Sequence, residues 1–353
     1  MPILDKTNFE EVEKYNTFLK ENSNYNILQS IEWSELKNSW KNEIVYIEKE
    51  GKITASISLL LRKIPVINSY LAYGCRGPLV DINDFDTLKL LLEEINMLKD
   101  KYKIFLLRID PRWNKSKLNI PEYKKIFNIR SNNVSTKLII QPRLNMIINL
   151  EERSEEEIFR SFSETTRRNI RIAIKNGCVV KMDNSKEALN DFYDLHIITG
   201  KRDNFIIRSR EYFEKLYDLF IDKGLSIWQV YHGEDMIGST VMLPSGDTMW
   251  YYAGASSNIK RKMRANALLQ YEMIKWAKNN GFKYYDLGGI YSTNPKIEPL
   301  YIFKNGFCKK DGVTEFIGEL DYVYSKFKYK VYLFIERANL VKKKIYKLIK
   351  KDN

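Results

Sequence analysis

Tyr284-Tyr-Asp-Leu-Gly-Gly-Ile290 is a short apolar segment that runs into two glycines, and Tyr301-Ile-Phe-Lys-Asn-Gly-Phe307 follows after a brief gap. The first segment predicts a strand. Gly288 and Gly289 predict a bend where the backbone can adopt positive φ and approach a ligand closely. In the second segment Lys304 stands among aromatic residues that restrict its side chain. A strand end, a glycine bend and a lysine with a restricted side chain together favour a site that stabilises developing negative charge. A packed aromatic turn with a solvated lysine is the alternative.

The composition bounds the class of protein. The chain has 353 residues, 44% of them hydrophobic and 29% charged, which is typical of a soluble protein of two or three domains. It has no run of ~18 apolar residues and no signal pattern at its start. The cysteines, Cys75, Cys178 and Cys308, are odd in number and widely spaced, so we expect no disulfide framework and a cytoplasmic location. His196 and His232 are isolated, which argues against a zinc site.

The net charge of +13 gives information about the binding partners of the protein and little about its fold. Such an excess attracts phosphate-bearing ligands, RNA or an anionic membrane surface. The abundance of Lys, Asn and Ile also fits a lysine-rich proteome bias, which is the alternative explanation.

The first half shows the periodicity of an α/β domain. Its predicted elements are a helix at about 8–21, a helix capped by Ser30, a hairpin of Ile44–Glu48 and Ile53–Leu61 around Lys49-Glu50-Gly51, a strand Tyr70–Tyr73, a tight loop Gly74–Pro78, a helix at about 85–101 and a strand Ile104–Ile109.

The second half repeats that order, which we interpret as a diverged internal duplication. Its predicted elements are helices at about 154–176, 186–198 and 209–223, a hairpin of Leu225–Tyr231 and Met236–Leu243, a strand Thr248–Ala253, a helix at about 262–280 and a strand Lys283–Leu287. The predicted boundary lies at Ile140–Asn145, where Gln141-Pro142-Arg143 interrupts regular structure.

The last segment, at about 323–351, has an apolar stripe at helical spacing opposite many lysines. The stripe consists of Phe327, Val331, Phe334, Ala338, Val341, Ile345 and Leu348. Such a basic amphipathic helix can lie on an anionic membrane. We expect instead that its stripe packs onto the protein.

Helix, hairpin, strand, helix and strand around a mixed sheet is the element order of the N-acyltransferase fold. The predicted fold class is therefore α/β (α+β), with two tandem GNAT-like acyl-CoA N-acyltransferase domains and mixed sheets. Acetyltransferases of this fold hold coenzyme A at a glycine-containing loop that opens the central helix. Here that loop is Arg261-Lys-Met-Arg-Ala-Asn-Ala267. Arg264 and Asn266 replace the glycines, and we expect them to crowd the phosphate cradle.

The chain resembles the Fem family of peptidoglycan interpeptide-bridge aminoacyltransferases over nearly its whole length. The motifs that carry the resemblance are Leu28-Gln-Ser-Ile-Glu-Trp33, Tyr73-Gly-Cys-Arg-Gly-Pro78 with Asp81, Arg108-Ile-Asp-Pro111, Arg167-Arg-Asn-Ile-Arg-Ile-Ala173, Trp250-Tyr-Tyr-Ala-Gly254, Tyr285-Asp-Leu-Gly-Gly289 and Phe303-Lys-Asn-Gly-Phe307. The coiled-coil insertion of many members has no counterpart in this sequence, which resembles the short form.

The resemblance implies a cytoplasmic enzyme that takes an aminoacyl group from tRNA, which is consumed as a cosubstrate, and needs no cofactor or metal. The acceptor would be the third-position side-chain amine of UDP-MurNAc-pentapeptide or lipid II, with peripheral contact to an anionic membrane possible and no DNA partner. Residues 1–145 plus 319–353 would form the precursor-binding domain, and residues 146–318 the acyl-donor domain. The resemblance leaves open which amino acid is transferred, how many residues are added, and whether the third-position residue is lysine or diaminopimelate. It also leaves open whether the acceptor is soluble or lipid-linked, and the oligomeric state.

The resemblance also implies site residues. Lys37 and Arg208 match cations that bind the precursor's diphosphate, and Tyr212 and Tyr252 match substrate-contacting tyrosines. The implied substrate-binding set is Lys37, Arg76, Arg208, Tyr212, Tyr252, Gly288, Gly289 and Phe303, and the implied catalytic pair is Lys304 and Asp110. Ordinary surface charges and core packing are the alternatives.

Asp110 is a poor candidate for the sole base. An alkyl ammonium has a pKa of about 10.4, so keeping it neutral at pH 7 costs about 4.6 kcal/mol. A nearby ionised carboxylate stabilises the ammonium and raises that cost. We therefore expect Asp110 to orient the amine, and Lys304 to make the larger contribution by neutralising the oxyanion.

Basic residues of the second domain predict the tRNA surface. Arg160, Arg167, Arg168, Arg171 and Lys175 are expected on one helix, with Lys260, Arg261, Lys262 and Arg264 before another. The assigned tRNA-binding residues are Arg167, Arg168, Arg171, Lys260 and Arg261. A solvated helix face is the alternative. A coenzyme A-dependent acyltransferase and a non-catalytic RNA- or membrane-binding protein are the rival functions.

Overall fold

The structure is a computed structural model that describes residues 3–130 and 138–349, with side chains described as far as residue 340. It contains two compact units. The first comprises Met1–Arg143 and Glu315–Asn353, and the second comprises Leu144–Thr314. The boundaries expected from the sequence, 145/146 and 318/319, lie two and four residues from these. Within the described ranges, every helix is too short or too polar to cross a membrane.

The elements alternate along the chain. The helices are α1 (Phe9–Glu21), α2 (Ile31–Leu36), α3 (Phe85–Tyr102), α4 (Ile120–Ile126), α5 (Glu155–Ser161), α6 (Glu164–Lys175), α7 (Lys186–Asp203), α8 (Arg210–Phe220), α9 (Ala265–Asn279), α10 (Leu300–Phe307) and α11 (Lys326–Ile349). The strands are β1 (Lys41–Lys49), β2 (Lys52–Ile64), β3 (Ser69–Gly74), β4 (Ile104–Ile109), β5 (Asn128–Ile129), β6 (Leu144–Asn149), β7 (Cys178–Met182), β8 (Ser226–His232), β9 (Asp235–Ser245), β10 (Thr248–Ser256), β11 (Tyr284–Ile290), β12 (Thr314–Glu315) and β13 (Leu320–Val323).

The sheet of the first unit has the strand order β1-β2-β3-β4-β13-β5. The predicted hairpin is confirmed: β1 and β2 pair antiparallel, and Glu50 and Gly51 both have positive φ in the loop between them. Two such residues form the tight turn whose twist matches that of the strands. The parallel pairing of β3 with β4 makes the sheet mixed. Helix α3 makes the crossover, burying its Leu- and Ile-rich face.

The second unit has the strand order β12-β6-β11-β10-β9-β8-β7. Strands β8 and β9 form the predicted second hairpin, β10 follows, and α9 crosses over to β11, which pairs parallel with β10. Hairpin, strand, helix and parallel strand thus occur in the same order in both units, as expected for a duplicated fold. Buried residues of β6, β11 and α9 form much of the second core.

The prediction of a single helix at about 154–176 is wrong. The segment forms two helices, α5 and α6, because Phe162 adopts an extended conformation and Ser163 caps α6 by accepting the Thr166 N–H. Phe162 is 2% exposed, so turning the chain here buries a large aromatic ring. Arg160 therefore lies on α5, separate from the arginines of α6.

The expected packing of the α11 stripe is also wrong. Phe327 is 78% exposed and Phe334 is 73% exposed, whereas Tyr332 is buried. The Tyr332 ring packs against Phe105 with their centroids 5.5 Å apart. The helix therefore uses a tyrosine face to contact the sheet, and the phenylalanine face points elsewhere. Val341, Ile345 and Leu348, also expected in the stripe, have side chains outside the described residues.

Candidate active site

Gly288 occupies a bulge in β11. The pairing of β11 with β6 shifts register between Asp286 and Gly289, and the strand continues to Ile290 instead of ending at Leu287 as predicted. The Asp286 carboxylate accepts the Gly288 N–H at 2.8 Å and holds the bulge. Gly288 has a φ of +83°, a conformation that side-chain-bearing residues rarely adopt.

Lys304 lies beside this bulge. Its Nζ donates to the Gly289 carbonyl at 2.9 Å. An ideal Cβ built on Gly288 would lie 3.5 Å from Lys304 Nζ and 3.9 Å from Trp250 Nε1, so these groups surround the bare backbone. Burial lowers the pKa of Lys304, and the negative charge of Asp286 opposes that shift.

The position of Lys304 follows from the packing of α10. Phe303 and Phe307 contact each other with ring centroids 5.4 Å apart, and Phe307 is buried in the core. At Gly306, an ideal Cβ would lie 2.3 Å from Thr166 Oγ1, so glycine permits the close approach of α10 to α6. The Lys304 side chain is held by its hydrogen bond to Gly289, and its restriction by the aromatic neighbours stays a prediction.

A second group in this unit consists of Arg208, Tyr212, Tyr252 and Trp250. The Arg208 guanidinium lies 4.5 Å from the Tyr212 ring centroid, and the two tyrosine hydroxyls are 2.7 Å apart. The Tyr252 and Trp250 rings pack edge to face at 5.0 Å. Burial raises the pKa of Tyr252 well above its usual value, and the neighbouring Tyr212 adds to the shift. Trp250 thus links the tyrosines to the Gly288 bulge.

Sequence reasoning left Trp250 and Asp286 out of the site. Both stood in motifs that carried the family resemblance, but neither had been given a role. The signal that could have identified Asp286 is its place two residues before a positive-φ glycine, where a carboxylate can accept the glycine N–H.

In the first unit, Asp110 is 1% exposed and follows β4. Its Oδ2 accepts the Tyr73 hydroxyl at 2.5 Å, and its Oδ1 accepts the Arg76 N–H at 2.6 Å. Burial raises the pKa of Asp110, while the positive charge of Arg76 opposes that shift. The carboxyl therefore anchors the loop that carries Arg76.

Arg76 is itself 7% exposed. Its Nη2 donates to the Pro142 carbonyl at 3.0 Å, and its guanidinium lies 5.4 Å from the Phe316 ring centroid. Lys37 ends α2 in the same unit, with its Nζ 4.9 Å from the Trp33 ring centroid. Lys37 is half-buried, so the tryptophan restricts the cation near the surface.

A cavity of about 390 Å³ opens at the N-terminal end of α9 in the second unit. Its lining includes Arg202, Lys260, Arg261, Arg264, Asn169 of α6, Asn266 and Phe303. Arg264 and Asn266, which replace the glycines, both line this cavity, and their crowding of a phosphate cradle stays a prediction. Lys260 and Arg261 line this cavity together with Asn169 of α6, and their role in tRNA binding stays a prediction.

The basic residues around the cavity differ in their contacts. Lys260 forms an ion pair with Asp235, and Arg261 is exposed. Arg168 and Arg171 are exposed on α6. The Arg167 Nη1 donates to the carbonyls of Arg160 and Phe162 at 2.7 and 2.6 Å, so this arginine stabilises the end of α5. The predicted surface thus includes three exposed cations and two that hold local structure.

Among residues 3–130 and 138–349, His, Cys, Asp and Glu side chains form no group of three or more that could hold a metal ion. Cys75, Cys178 and Cys308 are free and buried. Burial raises the pKa of the Cys75 thiol to about 12, which leaves it in the unreactive protonated form.

Known proteins resemble this chain in sequence. A model of the FemAB family matches residues 11–231 and 226–337. The UDP-N-acetylmuramoylpentapeptide-lysine N(6)-alanyltransferase of Weissella viridescens is 30% identical over 330 residues, covering 92% of this chain and 96% of that protein. The lipid II:glycine glycyltransferase of Staphylococcus haemolyticus is 28% identical over 409 aligned residues, covering 94% and 96%.

Solved structures share the fold. The crystal structure of FemX superposes with a TM-score of 0.84 at 24% identity, covering 95% of this chain and 100% of that chain. A tandem GNAT protein from the clavulanic acid biosynthesis pathway superposes with a TM-score of 0.51 at 9% identity, covering 90% and 97%. The predicted fold class of two tandem GNAT-like domains with mixed sheets is confirmed.

Proposed function

Because the chain belongs to the FemAB family, we propose that it is an aminoacyltransferase that adds an amino acid to the third-position side-chain amine of a peptidoglycan precursor. The enzyme class and the resemblance predicted from the sequence are confirmed by the family match and by relatives that transfer alanine or glycine. The observation that carries the chemical proposal is Lys304 Nζ, held 2.9 Å from the Gly289 carbonyl beside the bare backbone of Gly288.

The reaction is aminolysis of an ester, with aminoacyl-tRNA as the donor. The acceptor nitrogen attacks the ester carbonyl, and the carbonyl electron pair moves onto oxygen to form a tetrahedral oxyanion. Collapse of this intermediate breaks the bond to the ribose oxygen, which leaves as a hydroxyl with the proton lost by the amine. Lys304 stabilises the oxyanion by charge and hydrogen bonding, a contribution commonly worth 10²–10³ in turnover.

Burial makes Lys304 better suited to this role. A cation removed from bulk water interacts more strongly with a nearby negative charge. Asp286 offsets part of the desolvation cost and favours the charged form of the lysine. An ammonium has three N–H groups, and the Gly289 carbonyl accepts one of them.

Asp110 acts indirectly in this proposal. Its two oxygens already accept hydrogen bonds from Tyr73 and from the backbone of Arg76. It therefore fixes the loop that carries Arg76, whose contact with the precursor stays a prediction. The proton of the acceptor amine leaves by another path, for which desolvation of the amine or a carboxylate or phosphate of the substrate is the proposed source of basicity.

The precursor diphosphate is assigned to Arg208 in the second unit, because a guanidinium can chelate phosphate oxygens. The role of Lys37 as a second diphosphate contact stays a prediction. The 4.5 Å contact between Arg208 and the Tyr212 ring restricts the guanidinium before a ligand arrives. Tyr212 and Tyr252 then offer paired hydroxyls to the precursor.

The tRNA backbone is assigned to the cavity at the start of α9 and to the exposed arginines of α6. Arg261 and Arg264 are exposed cations that line the cavity, and Arg168 and Arg171 are exposed cations on α6. Phosphate contacts of this kind release counterions, so tRNA affinity should fall steeply with salt. The proposal needs no cofactor beyond the consumed aminoacyl-tRNA and places the enzyme in the cytoplasm, where both substrates are made.

The test incubates the protein with a mixed aminoacyl-tRNA pool and with each precursor, soluble or lipid-linked, and reads the products by mass spectrometry. The mass increment identifies the transferred amino acid, the number added and the acceptor. Absence of any increment, together with acetyl-coenzyme A binding in calorimetry, would favour the coenzyme A-dependent rival. Absence of both would favour a non-catalytic binding protein.

Lys304→Met is the sharpest variant for the same assay. We expect turnover to fall by 10²–10³ because the oxyanion loses its charged donor. Lys309→Met, which removes an exposed lysine five residues away, is the matched control and should retain activity. Wild-type turnover in Lys304→Met would refute the assigned role.

A further inference from the structure

Helix α11 packs onto the first unit through one face. Tyr332 is 8% exposed and contacts Phe105, while Glu336 receives hydrogen bonds from Arg108 at 3.2 Å and from Arg130 at 3.0 Å. Side chains on a helix advance by about 100° per residue. Tyr332 and Glu336 therefore define the inner face of the helix.

The opposite face is apolar. Phe327 and Phe334 are seven residues apart and thus about 20° from alignment, and Glu336 lies about half a turn from Phe327. Phe327 is 78% exposed and Phe334 is 73% exposed, with half-buried Val331 between them. We call Phe327, Val331 and Phe334 the outer apolar face.

Exposed basic residues lie along one border of the outer apolar face. Lys326, Lys330 and Arg337 are exposed. The sequence of α11 contains seven lysines and one arginine but a single acidic residue, Glu336, which lies on the inner face. The surface around the phenylalanines is therefore apolar at its centre and positively charged along one border.

We propose that the outer apolar face of α11 docks on a bilayer surface that contains anionic phospholipid. Phenylalanine side chains enter the boundary between headgroups and acyl chains, and lysines at their borders pair with lipid phosphates. Charge complementarity selects this occupant over a second copy of the chain, because two copies of α11 face to face would bring like charges together. The proposal is independent of the acyl-transfer chemistry.

The test is co-sedimentation of the full-length protein with phosphatidylcholine vesicles that contain or lack phosphatidylglycerol. We expect binding that requires phosphatidylglycerol and weakens as salt is raised. Phe327→Ser/Phe334→Ser should weaken binding by at least roughly tenfold because the apolar contribution is lost. Lys330→Glu/Arg337→Glu, which keeps the phenylalanines, should weaken it by a similar factor.

The matched control is Phe9→Ser/Met97→Ser, which removes two other exposed apolar side chains, 80% and 55% exposed, from helices of the same unit. It should bind vesicles like the wild type, and thermal unfolding should be unchanged in all three variants because the altered side chains are exposed. Equal binding to vesicles without phosphatidylglycerol, or wild-type binding by Phe327→Ser/Phe334→Ser, would overturn the proposal. Self-association without vesicles that the phenylalanine substitutions abolish would instead assign the face to a second copy.

Discussion

At the scale of single residues, Gly288 is required both by the backbone conformation of β11 and by the space beside Lys304. Its positive φ forms the bulge, and its missing side chain leaves space beside Lys304 Nζ and Trp250 Nε1. Sequence reasoning anticipated the freedom of the glycine pair. The position of the lysine relative to it depends on how closely α10 approaches α6, and Gly306 permits that approach.

Gly288→Ala tests whether this space matters for transfer. A Cβ at this φ costs about 1–2 kcal/mol of stability, and it would also stand 3.5 Å from Lys304 Nζ. We expect a lower melting temperature and a drop in turnover of about tenfold or more. Gly51→Ala is the control, since Gly51 also has positive φ but a Cβ there would meet nothing within 4 Å. If Gly288→Ala and Gly51→Ala lost turnover equally, the loss in Gly288→Ala would be explained by reduced stability alone.

At the scale of elements, the break between α5 and α6 shows capping and the burial of Phe162 together overriding helical periodicity. Ser154 forms a capping box with Glu157 at the start of α5, and Ser163 caps α6. The apolar spacing on the two sides is compatible with one long helix, which explains the wrong prediction. The burial of Phe162 decides between the two conformations, and burial depends on the rest of the unit.

Two neighbouring arginines of α6 that the sequence had grouped together for tRNA binding differ in their contacts. Arg167→Met removes the donor to two carbonyls at the end of α5, so we expect a stability loss of about 1–3 kcal/mol by chemical denaturation. Arg168→Met removes an exposed cation, so we expect unchanged stability, weaker tRNA binding and a shallower salt dependence. A tRNA affinity that depends on neither salt nor Arg168 would remove α6 from the proposed surface.

At the scale of the whole molecule, the first unit is assembled from two distant parts of the chain. Arg108 on β4 is fully buried and forms a two-pronged ion pair with Asp321 on β13, at 2.7 and 2.9 Å. Arg108 also reaches Glu336 on α11. This buried network fixes the C-terminal segment to the sheet.

Arg108→Met should therefore destabilise the first unit strongly. The substitution leaves the Asp321 carboxylate buried without its main partner, at a cost of about 3–5 kcal/mol. For a unit of this size that corresponds to a fall in melting temperature on the order of ten degrees. Lys115→Met breaks the exposed pair with Glu315, which joins the same two chain segments at 2.8 Å, and should change stability by less than about 1 kcal/mol. If calorimetry gave similar falls in melting temperature for Arg108→Met and Lys115→Met, the result would contradict the importance of burial for the Arg108 network.

The sequence by itself determined the duplicated order of elements, the two hairpins and the family, and it singled out Lys304 and the glycine pair, whose role in the reaction stays a prediction. These features depend on local conformational preference and on residue types that only a few backbone conformations accept. Tertiary structure alone decided that Asp110 holds the Arg76 loop, that Trp250 and Asp286 adjoin the lysine, and that α11 turns its tyrosines inward and its phenylalanines outward. The physical reason is that burial and hydrogen-bond partners depend on contacts between residues far apart in the chain, and periodicity along one helix cannot reveal which of two apolar faces meets the core.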